Sequence, residues 1–372
     1  MTSTSTPRPE HGLPPLHLSV ALDGAGWHPA AWRAEGARPD ELFTAGYWAD
    51  LVTEAERGLL DLVTIEDALA VQSVSLRGPD ERTDQVRGRL DAVLIAGRVA
   101  PLTSRIGLVP TTNVTHTEPL HLSAALATLD QAAPGRAGWR PQISARADDA
   151  AHFGRPAPAT LQEADLGSPE TISGRLAPLF DDAAEVLATV RRLWDGREHA
   201  LPVTVLAHAR IPYELAAKGG DVVFVTPHSP DDAAAILTEV ATAATAVARP
   251  AERPLKVLAD LLVLLDDKPG EAARQKARLD DLDGAPLASD AEIFAGTPAE
   301  LADLLLHWGT VDTAGLRLDG FRLRPARLPH DLLAITRSLV PELQRRGAFR
   351  TAYRTHTLHG HLALPGPAAL RR

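Results

Sequence analysis

Short apolar runs alternate with amphipathic segments along almost the whole chain. The runs have the length of strands, and the segments between them repeat apolar residues at a period of about 3.6. This pattern predicts strands at 16–22, 61–67, 105–111, 136–144, 202–208, 221–227, 254–265 and 319–326. It predicts helices at 47–60, 84–100, 118–130, 175–194, 212–219, 230–248, 270–282, 298–308 and 330–347.

Several of the predicted strands are continuous apolar runs, which are typical of parallel strands covered by helices on both faces. Eight strand–helix units favour an α/β fold, a (β/α)8 TIM-type barrel, over an open doubly wound sheet. The loop after the first strand, DGAGWHPAAW, has Gly24 and Gly26 but Pro29 where a dinucleotide-binding turn has its third glycine. We expect one barrel domain over residues 15–372, after a disordered segment, 1–14, that is rich in Ser, Thr and Pro.

Composition and charge exclude several classes of protein. The 372 residues include no cysteine and carry a formal charge of -10 without a basic run, so neither a thiolate metal site nor a nucleic-acid partner is expected. The first residues lack the apolar core of a signal peptide, and no stretch approaches the ~18 apolar residues of a membrane span. We therefore expect a cytoplasmic protein with no membrane partner. The tail contains His359 and His361 without an acidic neighbour, so no metal site is predicted.

The second predicted strand, DLVTIED, ends on two adjacent carboxylates, Glu66 and Asp67. In a barrel of this type the active site lies at the carboxyl ends of the strands. Adjacent residues of a strand point to opposite sides, so the two carboxylates cannot act as a general acid/base pair. We expect Asp67 to face the barrel mouth and Glu66 to face the helical layer. The alternative is that both are solvated loop residues that cap neighbouring helices.

Five stretches, in this order, resemble the bacterial-luciferase-like flavin-dependent oxidoreductases, nearest the nitrilotriacetate, EDTA and dibenzothiophene-sulfone monooxygenases. They are DLVTIED at 61–67, RIGLVPTTNVTHTEPLHLSAALATLDQAAPGRAGW at 105–139, RLAPLFDDAAEVLATVRRLWDG at 175–196, VTVLAHARIPYELAAKGGDVVFVTP at 203–227, and the block that begins DGFRLRPARLPHDL at 319. The resemblance implies a TIM-type barrel that binds FMN, or the deazaflavin F420 as in other branches.

The same resemblance implies an enzyme of the two-component type. A separate NAD(P)H:flavin reductase would deliver reduced FMN, and O2 would then oxidise a small organic substrate. It also implies a homodimer, formed through the helices at 47–60 and 84–100. Two alternatives stay open at this point: an F420-dependent oxidoreductase on the same barrel, and a non-catalytic flavin-binding or subunit-type homologue.

Site residues follow from the resemblance as well. Asp67 matches the family's acidic residue beside the flavin and is the candidate catalytic residue. The expected cofactor contacts are Asp67, Thr111, Thr112, Arg140, Ser144, His208 and Arg210. Two of them depart from the family pattern: Arg140 replaces an asparagine in GWRPQIS, and Arg210 replaces a serine in the phosphate loop AHARIPYELAA. A guanidinium at residue 210, just before a helix, would suit an anionic phosphate.

One region is shorter than the family pattern. Relatives carry a long insertion after LWDG that helps to build a lid over the substrate, whereas this chain has only REHA before the next strand. A more open site, a bulky or carrier-bound substrate, or a loss of flavin affinity would each agree with this difference.

Overall fold

Nine parallel strands form the main sheet in a computed structural model that describes residues 15–73, 80–156, 169–199 and 201–365. The strands in the described ranges are β1 (His17–Leu22), β2 (Leu62–Ile65), β3 (Gly107–Asn113), β4 (Arg140–Gln142), β5 (Thr204–Leu206), β6 (Val222–Val225), β7 (Lys256–Leu265), β8 (Glu292–Gly296), β9 (Asp312–Thr313), β10 (Leu316–Arg317) and β11 (Gly320–Pro325).

The order of strands in the sheet is β4-β3-β2-β1-β11-β7-β6-β5, and β8 pairs with the second half of β7. A parallel bridge between Trp139 and Val203 joins the β4 end of this order to the β5 end. The eight predicted strands are therefore present as a nearly closed parallel barrel, which confirms the predicted fold class. The predicted disordered segment, 1–14, lies outside the described residues.

Helices surround the barrel and follow the strands in the chain. They are α1 (Ala45–Arg57), α2 (Ala92–Val99), α3 (Pro119–Ala132), α4 (Ala147–His152), α5 (Pro169–Leu193), α6 (Arg210–Gly219), α7 (Pro230–Ala246), α8 (Glu271–Asp283), α9 (Pro298–Trp308), α10 (His330–Ala334), α11 (Val340–Arg345) and α12 (Leu358–His361). A π-helical turn at Ile335–Leu339 joins α10 to α11. In the described ranges, no helix is both long and apolar enough to cross a bilayer.

Apolar side chains close the amino-terminal end of the barrel. Leu62, Val222 and Leu258 stand near the starts of their strands and pack with Leu358 and Leu362 from the C-terminal segment. The contact leaves no room for a side chain at residues 107 and 138, both glycines, because a Cβ there would lie 2.5 and 2.8 Å from Leu358. The C-terminal segment therefore fills one end of the barrel, and the opposite end remains for a site.

The predicted helix at 84–100 was wrong in its first half. Helix α2 begins at Ala92, and its N-cap is Asp91. Gly88 has φ = +112°, a conformation that no right-handed helix contains. Leu94, in the first turn of this helix, is 73% exposed. Strand β8 and the β9–β10 hairpin were not predicted at all.

Candidate active site

The barrel interior contains charged side chains between the apolar amino-terminal end and the opposite, carboxyl-terminal end. Arg322 of β11 lies directly opposite Asp260 of β7 in the strand register, and both side chains are fully buried. Arg322 donates from Nε to Asp260 Oδ1 at 2.8 Å, and Arg324 donates from Nε to Asp260 Oδ2 at 2.7 Å. One carboxylate thus stabilises two desolvated guanidinium groups.

A second pair extends this cluster across the barrel. Arg140 of β4 forms a buried ion pair with Glu66 and donates from Nε to Thr111 Oγ1 at 2.9 Å. Arg322 Nη1 lies 3.6 Å from the other oxygen of Glu66, Oε1, which accepts no hydrogen bond from any described residue. Burial lowers the pKa of Arg140 to about 10 in spite of the charge of Glu66.

The cluster reaches solvent on one side, at Asp290 and His208. Asp290 accepts a hydrogen bond from Arg324 Nη1 at 2.5 Å, and His208 Nε2 lies 3.4 Å from its other oxygen. The side chains of Asp290 and His208 are each 44% exposed, whereas that of Arg324 is 2% exposed. The ring of Trp27 covers the guanidinium of Arg324 at 4.7 Å. We call these three residues, Trp27, His208 and Asp290, the rim.

Electrostatics keep this network ionised. Burial raises the pKa of Asp260, but Arg322 and Arg324 outweigh that effect and hold it below its ordinary value. Burial likewise opposes the charge of Arg324, but Asp260 and Asp290 outweigh it and raise its pKa. Burial lowers the pKa of His208, so this imidazole is neutral at neutral pH and can accept a proton.

The predicted orientation of the two carboxylates in DLVTIED was wrong. Glu66 faces the barrel interior, as does Thr64, which accepts a hydrogen bond from Arg322 Nη1 at 3.1 Å. Asp67 points to the helical layer, where its oxygens accept from the backbone N–H groups of Ala68 and Ala92 at 2.7 and 3.0 Å. The physical reason is that the interior arginines need a carboxylate, whereas the start of α2 needs an acceptor for its free N–H groups. Burial raises the pKa of Asp67.

The other predicted contacts divide into two groups. Thr111, Arg140 and His208 belong to the interior cluster or its rim. Thr112 instead points outward, because β3 alternates, and accepts a hydrogen bond from Trp139 Nε1 at 2.6 Å. Ser144 donates to Asp149 at 2.6 Å outside the cluster.

Arg210, the first residue of α6, does not reach the interior. Its side chain is 84% exposed and pairs with Glu214 at 2.8 Å. The flavin roles of Arg210, of Asp67 and of the other predicted contacts stay predictions.

Sequence reasoning missed most of the cluster, namely Glu66, Asp260, Asp290, Arg322 and Arg324. A signal was present in FRLRP, because two arginines separated by one residue share a face of a strand. Asp260 interrupts the apolar run VLADLLVLL and gave a similar signal. A charge inside a strand that is buried on both faces has to find an opposite charge in the barrel.

A cavity of about 200 Å³ lies beside the rim. Its wall includes Trp27, Trp32, Gln72 and Arg87, from the loop after β1 and the segment before α2. Trp27 therefore separates this cavity from Arg324. The volume is below the roughly 300–1,000 Å³ of common ligand pockets, which suits a small molecule.

Another buried polar group lies on the same end of the barrel, in the loop that follows β3. Both ring nitrogens of His116 are buried and have no hydrogen-bond partner among the described residues, and the ring stacks on Phe153 with centroids 5.5 Å apart. Burial lowers the pKa of His116.

Comparisons with known proteins agree with this architecture. The family model described as luciferase-like monooxygenase matches residues 25–287, and the chain belongs to that family. It is 26% identical to nitrilotriacetate monooxygenase component A of Aminobacter aminovorans over 460 aligned positions, covering 95% of this chain and 97% of the relative. Since this alignment is longer than the chain, the relative has segments that this chain lacks.

Two further proteins extend the comparison. The chain is 25% identical to N-acetyl-S-(2-succino)cysteine monooxygenase of Bacillus subtilis (strain 168), covering 95% of this chain and 97% of the relative. A crystal structure of riboflavin lyase with modified FMN and riboflavin superposes with a TM-score of 0.78 at 18% identity, covering 95% and 97% of the two chains. At that identity the superposition shows the barrel fold alone.

Two local features fit the polar groups of FMN. The buried Oε1 of Glu66, which accepts no hydrogen bond from the described residues, would offer an acceptor to a ring N–H. Helix α6 begins without a side-chain cap, and Arg210 lies exposed at its first position, which suits a phosphate. One residue does not fit a flavin in the expected way. Arg140 stands in the place of the family's asparagine, and its guanidinium is already bound to Glu66 and Thr111.

Proposed function

We propose that this chain is an FMN-dependent monooxygenase that oxidises a small organic substrate with O2. A separate NAD(P)H:flavin reductase would supply the reduced flavin, and the working unit would be a homodimer. Membership of the luciferase-like monooxygenase family supports the reaction class. The two curated relatives are named as monooxygenases of nitrilotriacetate and of N-acetyl-S-(2-succino)cysteine. Both named substrates carry several carboxylates, so a carboxylate-bearing substrate is part of the proposal.

Reduced FMN, when bound, supplies the electrons with which O2 is activated. The chain's own residues would bind and orient it: Arg210 and the first turn of α6 the phosphate, and Glu66 a ring N–H. The ion pairs of Arg140 and Arg322 fix the position of Glu66, so this acceptor is organised before any ligand arrives. His208, neutral and half-exposed at the rim, would be the imidazole that exchanges a proton with a bound ligand.

The observation that carries the proposal is the paired charge network at the carboxyl-terminal end of the barrel, where this fold places its chemistry. The experiment is a titration of the purified protein with reduced FMN without oxygen, followed by oxygen uptake with a panel of small carboxylates. Saturable binding and substrate-dependent uptake are the expected results. Reduction of F420 without oxygen uptake would instead indicate an F420-dependent oxidoreductase, and absence of binding of either cofactor would contradict the proposal.

A specific observation favours a second candidate function, a flavin-binding subunit without catalysis. The guanidinium of Arg140 is held by Glu66 and Thr111, so it is not free to contact a flavin as the family's asparagine would. The connection between α5 and β5, residues 194–203, is too short to form a long lid over the substrate site. Flavin binding without oxygen uptake, restored by mixing with an active homologue, would support this candidate.

A further inference from the structure

We propose that the barrel mouth binds a small carboxylate, which Arg324 holds in the position that the side chain of Asp290 has in the present structure. The inference rests on the proposed function in one respect only, namely that the bound carboxylate is the substrate. The binding itself needs no flavin. Three features of the described residues support it: the dependence of Arg324 on a second anion, the exposure of Asp290, and the geometry of their contact.

Arg324 needs a second anion because it shares its first one. Asp260 is fully buried and its two oxygens already bind both Arg322 and Arg324. A desolvated guanidinium is costly unless its charge and its N–H groups are matched. The Nη1 group of Arg324 has Asp290 as its partner, at 2.5 Å. If Asp290 moved away, Nη1 would be left for another oxyanion.

Asp290 is the exchangeable member of the network. Its side chain is 44% exposed, compared with 0% for Asp260 and 8% for Glu66. It lies in the segment between α8 and β8, outside any strand, and its other contact is His208 at 3.4 Å. Ion pairs that water reaches contribute little to stability, so an external anion can compete with this one.

The geometry of the contact indicates a carboxylate. The two oxygens of Asp290 lie 2.5 and 3.4 Å from Nη1 and Nη2 of Arg324, which is the end-on arrangement of a guanidinium with a planar carboxylate. Trp27 covers one face of this guanidinium, so its edge is the direction left for an approaching ligand.

The test is isothermal titration of flavin-free, full-length protein with succinate. Asp290→Asn removes the internal competitor and keeps the shape of the side chain, so succinate should bind about fivefold more tightly, which corresponds to ~1 kcal/mol. Asp303→Asn is the matched control, because Asp303 also pairs with an arginine, Arg346, but on the outer surface. The double variant Asp290→Asn/Arg324→Lys keeps the positive charge at residue 324 but lacks the planar guanidinium with its two parallel N–H groups. It should lose the fivefold gain in succinate affinity.

Several outcomes would overturn the proposal. Unchanged or weaker succinate binding in Asp290→Asn would mean that the pair is only structural. An equal gain in Asp303→Asn would mean that net charge, not this site, controls binding. Phosphate binding as tightly as succinate, or the neutral diamide succinamide doing so, would refute carboxylate recognition. Because no step uses FMN, a failure of the proposed flavin chemistry leaves this result interpretable by itself.

Discussion

Replacing Glu66 by glutamine should destabilise the protein much more than replacing its neighbour Asp67 by asparagine. Glu66 is 8% exposed and forms a buried ion pair with Arg140, itself 4% exposed. Removing one partner of a buried pair costs about 3–5 kcal/mol, and the remaining amide oxygen of glutamine favours the lower end of that range. Asp67→Asn weakens only the backbone contacts of Asp67 at the start of α2, which is worth about 1 kcal/mol.

Thermal unfolding followed by circular dichroism at a fixed scan rate measures the difference. The entropy of unfolding of a 372-residue chain is about 0.8 kcal/mol per kelvin, so Tm should fall by about 4–6 °C in Glu66→Gln and by about 1 °C in Asp67→Asn. Riboflavin or FMN must be absent from both samples, since ligand binding shifts Tm.

A double-mutant cycle shows whether the loss comes from the ion pair. Arg140→Gln alone leaves Glu66 with only its longer contact to Arg322, at 3.6 Å, and should cost a similar amount, whereas the double variant removes both charges of the close pair. Its cost should be smaller than the two single losses together by at least about 1 kcal/mol. Strict additivity, or a larger loss in Asp67→Asn than in Glu66→Gln, would refute the assignment of Glu66 to the interior network.

Three further predictions test other parts of the molecule. Arg210→Ala should weaken FMN binding about tenfold and leave riboflavin binding unchanged, because only FMN has the phosphate. An equal loss of riboflavin affinity would mean that Arg210 acts by packing the loop before α6 and not by binding the phosphate. Leu94→Asp, at a residue 73% exposed in the helix predicted to form the interface, should convert a homodimer to monomers in light scattering, and a monomer in the unmodified protein would contradict the proposed dimer. The midpoint of urea unfolding should move to a lower urea concentration when the pH is lowered from 7.5 to about 5.5. Burial lowers the pKa of several histidines in the folded state, so below the ordinary histidine pKa of 6.5 the unfolded chain binds more protons than the folded one. A midpoint that rose on acidification would contradict this. These histidines are His28, His116, His208, His359 and His361.

The strands of the barrel could be predicted because each is a short apolar run buried on both faces. Strand β8 was not predicted because four of its five residues are only half-buried, so that EIFAG lacks the continuous apolar run of the other strands. The start of α2 was predicted too early for another reason. Its start depends on Asp67, which accepts from Ala92 N across 25 positions of the chain, and on the positive φ of Gly88.

The candidate site was predictable only in part. Alternation established that Glu66 and Asp67 point to opposite sides but could not say which of them points inward. That choice depends on Arg140 and Arg322, which lie 74 and 256 positions further along the chain and need a carboxylate inside the barrel. The resemblance to relatives favoured Asp67, whereas the arginines of this chain favour Glu66.

Oxygen uptake by the protein loaded with reduced FMN tests the central proposal most directly. The protein is first titrated with photoreduced FMN without oxygen, and binding is followed by the absorbance and fluorescence of the flavin. It is then mixed with oxygenated buffer, with and without a small carboxylate such as succinate, and the oxidised product is sought by mass spectrometry. We predict saturation at about one FMN per chain and the gain of one oxygen atom by a substrate in the panel. Failure to bind reduced FMN at concentrations far above those of the protein would contradict the account.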